Sequence, residues 1–565
     1  MTEPENHSTV ITQHNDNNRS GMNLNEVILN TSNVKTGQFG KLFTRQVDGQ
    51  IYAQPLYLQD VTIPNQGVHN LIYVATMHNT VYAFDADDPN AILPIWTINL
   101  GPSIPLPDPN IGPQGYEDIT VEVGIVSTPC ISTVNHIIYV VSTNKDPNGS
   151  DAGAYSHWLH ALDIKSGTEK LVGPVKISAS FPGNGDGSVK GIIDFISHRQ
   201  LQRSALLLAN EMIYIGFASY GDATPSHGWI IAYDANNLNQ IAVYNTTPDD
   251  VPNRPSGALP GMGTIWQGGQ GMAADSSGNI YFITGNGDFN GKNDLGDSLV
   301  KLTPDLKLAD WFSPHNNSDL NKKDLDLGSG GVLLIPGTNL LVGGGKEAKL
   351  YLIDRNNMGN FNPVNDNQIV QSFNVSQLDG GHQLRGGPVY WNSPNGSLVF
   401  LSPMNDHVKA YRFTSSVFSP TTPVSDSSVT LGGAGGWMSI SANIGISGTG
   451  ILWVSERQST ILDRIIMWLE GLINRCDICG KIANYIATVL VFLPSWNYAA
   501  YFGTVPGVLH AFDASNLRNE RWNSQQNPGR DSLGEVAKFC PPTIANGKVY
   551  MATFSGYLVV YGLLP

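Results

Sequence analysis

The sequence predicts an all-β fold: one eight-bladed β-propeller of four-stranded antiparallel blades, with a helical hairpin as its one insertion. Three observations carry that reading. One strand-and-turn pattern recurs eight times, its last copy stops a strand short, and the composition suits short strands joined by tight turns. Gly and Pro number 60 and 34 among 565 residues, and charged residues are 14% against 41% hydrophobic, which fits neither a helical bundle nor a disordered chain.

Each copy opens on an apolar strand, turns, continues as an IYVAT-like alternation, turns again and closes on Ala-aromatic-Asp before a fourth strand. The first copy begins at Gln54 (QPLYLQDVTIPNQGVHNLIYVATMHNTVYAFDAD). Others begin at or near Ser127, Gln202, Gln270, Ser329, Gly386, Ser439 and Cys540. Asp85, Asp163, Asp234, Asp354 and Asp513 follow the third strand, where a carboxylate accepts hydrogen bonds from turn amides. Trp96, Trp311 and Trp522 fall on fourth strands, where a large flat ring fills the wedge between blades.

The copy at Cys540 ends after three strands, while residues 39–48 (FGKLFTRQVD) are extended and belong to no copy. Pairing the two closes the last blade and leaves no free sheet edge. The ring is then a single domain over 38–565. Residues 1–37, polar and Asn-rich, are expected as a flexible tail whose loss is nearly silent. Between 459 and 494, inside the seventh blade, Ile461, Ile465, Trp468, Leu469 and Leu472 recur at helical spacing, and IANYIATVLVFL follows. That apolar run is short of the ~20 residues a membrane span needs, so no transmembrane span is expected. The hairpin's apolar surface calls for packing on the ring, contact with a partner or a second copy, or a place in a membrane interface.

A net charge of −15 repels phosphate and excludes nucleic acid as a partner. Four cysteines in so long a chain make no disulfide framework. His157, His160, His227, His382, His407 and His510 are scattered over several blades without zinc-ligand spacing, and no Walker loop or G-x-S-x-G elbow occurs. The first residues have neither a basic start nor an apolar segment, so no signal peptide is read and the compartment stays open.

The copies resemble the repeats of the pyrroloquinoline quinone (PQQ), or quinoprotein alcohol dehydrogenase-like, propeller superfamily. There A-x-D-x-x-T-G-x-x-x-W ends each blade, and AFDADDPNAILPIW and ALDIKSGTEK stand in its place here. GKLFTRQVDGQIYAQPLY and GGGKEAKLYLIDRNNMG are similar to a subgroup of uncharacterised secreted propeller proteins, so the resemblance implies a secreted or cell-surface location. It also implies that an enzyme of this kind holds PQQ over calcium, with an Asp base, a Trp stacked on one face of the quinone and two adjacent cysteines on the other. This chain has no adjacent cysteine pair, and its Cys476-x-x-Cys479 is followed by Gly480 and not His, which departs from a haem attachment site.

Residues that open the first strands point at the central channel. This gives Glu122, Gln202, Arg203, Trp266, Gln267, Arg385 and Trp437 as a candidate ligand-binding set, with Lys346 and Glu347 nearby. Asp288, Asn290, Asp294 and Asp297 form an oxygen-rich loop that is a calcium candidate without EF-hand spacing. The expected function is a non-catalytic scaffold that binds a protein or glycan partner and needs no cofactor. The alternative is a PQQ- and calcium-dependent oxidoreductase of alcohols or sugars.

Overall fold

The computed structural model describes residues 9–113, 116–249, 251, 259–376, 382–458 and 505–565. The hairpin expected at 459–494, with Cys476 and Cys479, lies outside them. Eight sheets form the ring, and the blades are antiparallel. Their inner strands are Leu56–Ile63, Cys130–Ser132, Leu207–Ala209, Ala273–Ala274, Leu333–Leu334, Val389–Ser393, Gly436–Ser441 and Thr543–Ala545. Phe39–Gln46 pairs antiparallel with Tyr557–Leu563 as the outer strand of blade 8, so one sheet contains both an early and a late stretch of the chain. Among the described residues no helix is long and apolar enough to cross a membrane.

The repeat's residues act as the blade geometry demands. Asp85, Asp163, Asp234, Asp354 and Asp513 each accept an amide two residues on, tightening the turn after the third strand. The second-strand tyrosine latches one blade to the next in three places: Tyr73 donates to Ile164 O, Tyr139 to Ala235 O, and Tyr550 to Ala86 O. Each acceptor directly follows a turn Asp, so two repeat positions in adjacent copies meet. A buried phenol thus finds a partner while its ring fills the seam between blades. Trp96, Trp311 and Trp522 are buried on fourth strands.

Residues 9–37 depart from the tail expected there. From Val10 to Asn23 the chain circles the axis and meets the blades in order. Val10 exchanges two main-chain bonds with Tyr57 of blade 1, and Ile131 of blade 2 donates to Ile11. Asn17 Nδ2 donates to Leu208 O of blade 3. Ala274, Leu334, Tyr390 and Ile440, in blades 4 to 7, donate to Asn17, Asn18, Ser20 and Gly21. Met22–Asn23 then pairs parallel to Ile440 and Ser441, and Asn23 Nδ2 reaches Ile544 O of blade 8 at 2.8 Å. Inner-strand groups that face the channel need partners, and this girdle supplies them.

Arg19 locks the girdle. It is fully buried, and its guanidinium donates to Met272 O at 2.8 Å, Leu206 O, Gln13 O and Thr12 Oγ1. Gly271 must lack a side chain, because a Cβ there would lie 2.4 Å from Arg19 Nη2. Further along the axis Gln54, Gln202, Gln267 and Gln270 are buried and bonded to neighbouring strands and loops.

Candidate functional site

Arg203 precedes the stretch ending at Leu208, Arg385 the one ending at Tyr390, and Phe539 the one ending at Ile544. These residues lead into the inner strands of blades 3, 6 and 8. There the loops between blades enclose a cup of about 330 Å³.

One side of the cup is cationic, with Arg203, Arg385 and Lys538 on its wall and Asp118 among them. The other is acidic, with Asp222, Asp324 and Asp326 around Lys346. Lys346 Nζ lies 2.8 Å from Asp324 and 2.7 Å from Asp326. Burial works against its charge, yet these two carboxylates outweigh it and hold the ammonium above its ordinary range. Asn286 donates through its main-chain N to Asp326 and through Nδ2 to Asp324, fixing both carboxylates. Asp222 is raised to about 6 by burial and by the charges of Asp326 and Asp324.

Phe539 is the aromatic hub. Its ring lies 6.0 Å from Trp266 and 5.6 Å from Trp437, with the Arg203 guanidinium 4.8 Å from its centre. Its φ of 64° is a left-handed conformation that costs a bulky residue about 1–3 kcal/mol, which the surrounding rings must offset. Lys538 beside it is lowered to about 7, by burial first and then by the charges of Arg203, Arg385 and Arg457 against the opposing pull of Asp118. Its Nζ donates to Asp118 O.

The structure brings Arg203, Trp266, Arg385 and Lys346 together in the cup, and Trp437 touches it through Phe539. It places the other candidates elsewhere. Glu122 bonds His78 at 3.0 Å and Ser103 in a loop between blades 1 and 2. Gln202 is buried against Ser127 and Ser204, and Gln267 accepts from Ile283 N, so both serve the framework. Glu347 accepts from Asn316 and Tyr351 outside the cup. Of the calcium candidates, Asn290 donates to Asp294 and accepts from loop amides, while Asp288 accepts from Gly261 N, Asp294 from Asp249 N and Asp297 from Leu327 N. Among the described residues no three His, Cys, Asp or Glu side chains are grouped to hold a metal ion.

Sequence reasoning missed Asp118, Asp222, Asp324, Asp326, Lys538 and Phe539. Lys538 and Phe539 open blade 8 as Trp266 and Arg385 open theirs, so the same positional rule applied to the last copy finds them. The aspartates lie on loops between repeats, where the pattern is silent.

The parts implied by the PQQ resemblance are present only in part. Trp266 and Asp326 stand in the cup, but among the described residues no cysteine pair faces them, and Cys130 and Cys540 are buried and separate. The Lys346 ammonium already fills the space between two carboxylates that a cation would need. These residues do not fit a quinone seated on calcium as the resemblance describes it.

No protein-family model matches the chain, and no curated protein matches it. Among solved structures, quinohemoprotein alcohol dehydrogenase from Comamonas testosteroni is similar at 14% identity and a TM-score of 0.52, covering 98% of this chain and 80% of the other. The quinohemoprotein alcohol dehydrogenase ADHIIG from Pseudomonas putida gives 12% and 0.52 over the same shares. Saccharomyces cerevisiae Sqt1 follows at 10% and 0.47, covering 93% and 99%. At these identities the likeness is one of fold, and the chain has the fold of the quinoprotein alcohol dehydrogenase-like propellers.

Proposed function

We propose that the chain is a non-catalytic binding propeller that captures a small carboxylate-bearing ligand, such as an acidic sugar of a glycan, in the axial cup. The observation that carries this is the bipolar wall. Arg203, Arg385 and Lys538 offer donors to a carboxylate, Asp222 and the Asp324–Asp326 pair accept from hydroxyls, and Trp266 and Phe539 present apolar surface. A ligand held this way needs no cofactor. The buried, hydrogen-bonded glutamines Gln202, Gln267 and Gln270 beside the leading residues support a rigid framework for the site.

Calorimetric titration with glucuronate tests it. Saturable binding that Arg385→Met weakens at least tenfold without lowering the melting temperature supports the reading, and indifference to that substitution refutes it. The second reading, a PQQ-dependent oxidoreductase, is favoured by one observation: Asp222, at about 6, is poised to exchange protons near neutral pH beside Trp266. Calcium-dependent PQQ binding with dye reduction on adding an alcohol would put it first.

A further inference from the structure

We propose that Lys346 is the cup's built-in cation: its ammonium holds the position between Asp324 and Asp326 that a divalent metal ion would otherwise take, and so sets the cup's selectivity against free metal ions. The inference does not depend on which ligand the cup captures.

The oxygens gathered here are of the kind that hold a hard cation. Asp324 Oδ1 accepts from Lys346 Nζ and from Asn286 Nδ2, both at 2.8 Å. Asp326 meets Lys346 Nζ at 2.7 Å through one oxygen and accepts from Asn286 N at 2.8 Å through the other. Asn286 is itself buried, and its Oδ1 has no hydrogen-bond partner, so the residue that fixes both carboxylates has a further oxygen to give.

The main chain fixes the ammonium's place as well. Lys346 N donates to Asp326 O at 3.0 Å, which ties the root of the side chain to the residue its tip reaches. Gly345 permits that approach, since a Cβ there would collide with the carbonyl oxygens of Asp326 and Leu327. The Lys346 and Asp326 side chains are only 10% and 13% exposed. Without the ammonium, two carboxylates would face each other with no counter-charge. A metal ion entering the native cup must displace a tethered one. A salt bridge that only supports the fold loses stability when broken, whereas a built-in cation can be replaced by a free one.

Terbium(III) tests this as a luminescent stand-in for calcium, sensitised by a nearby indole. Trp266 Nε1 and Asp326 Oδ1 flank the same point, where a Cβ on Gly285 would meet them at 3.4 and 2.5 Å. Lys346→Met should bind terbium at least tenfold more tightly than the native chain, and adding Asp326→Asn to it should abolish the gain. Calcium should raise the melting temperature of Lys346→Met and leave that of the native chain unchanged. Equal terbium affinity in the two proteins would overturn the proposal, as would emission from the native chain that Asp326→Asn removes. Should Lys346→Met fail to fold alone, its recovery by calcium supports the built-in cation and its indifference to calcium overturns it.

Discussion

Removing residues 1–26 while keeping the Phe39–Gln46 strand separates the girdle from the closure of blade 8. Ten main-chain hydrogen bonds are lost: two between Val10 and Tyr57, one from Glu26 to Ala442 O, and one each from Ile131, Ala274, Leu334, Tyr390, Ile440, Ala442 and Ile444. At about 1 kcal/mol each the loss is about 10 kcal/mol, against a total stability on the order of 5–15 kcal/mol for folded domains. Arg19→Met isolates part of it. It strands the carbonyls of Met272 and Leu206 and should cost about 2–4 kcal/mol. Urea unfolding followed by tryptophan fluorescence reads both. The truncated chain should unfold at a far lower midpoint or fail to accumulate as a soluble ring, with Arg19→Met in between. A midpoint equal to that of the intact chain would show that the girdle's bonds are replaced by water at no net cost, and the reasoning fails.

Phe39 is fully buried against Trp522 at 4.9 Å and Trp453 at 5.3 Å. Phe39→Ala should therefore cost about 3–5 kcal/mol and alter the near-ultraviolet dichroism of both indoles; an unchanged melt would detach the closing strand from stability. Burial alone lowers the His510 imidazole, but hydrogen bonds with Glu456 at 3.0 Å and Glu520 at 2.6 Å outweigh it and raise it to about 9. With the folded value above the ordinary 6.5, its stabilisation is complete below pH 6.5 and is lost as the pH climbs through 9. His510→Gln should flatten that decline, a change on the order of a few kcal/mol across the window, and an identical stability profile in both proteins would refute the assignment.

The ring was legible in the sequence because its determinants are local and repeated. An Asp after the third strand in five blades and a second-strand Tyr in three do the same work from copy to copy, so periodicity exposes them. The girdle is written in no such code. Its stability comes from main-chain groups meeting eight partners far apart in sequence, and the small polar residues that let a backbone approach a channel are those that also compose flexible tails. Arg19 is the one arginine in this segment, and nothing local says that its guanidinium is buried. At the cup, the rule that first-strand openings face the axis found Arg203, Trp266 and Arg385, because sheet geometry dictates those directions. It erred at Glu122, Gln202 and Gln267, whose side chains turn to neighbouring loops and strands, and it was blind to aspartates on loops of irregular length.

The girdle also carries a consequence for the making of the protein. Asn23 bonds a carbonyl 521 residues away, and strand Phe39–Gln46 pairs with Tyr557–Leu563, so segments translated early find their partners only after almost all of the chain exists. Such long-range closure is entropically slow. Until it occurs, seven blades carry unpaired channel edges and the eighth lacks a strand, the kind of surface that invites association between nascent copies. The protein's demand on chaperones should therefore fall late in synthesis and end in a single step, when the head of the chain is drawn through the finished ring.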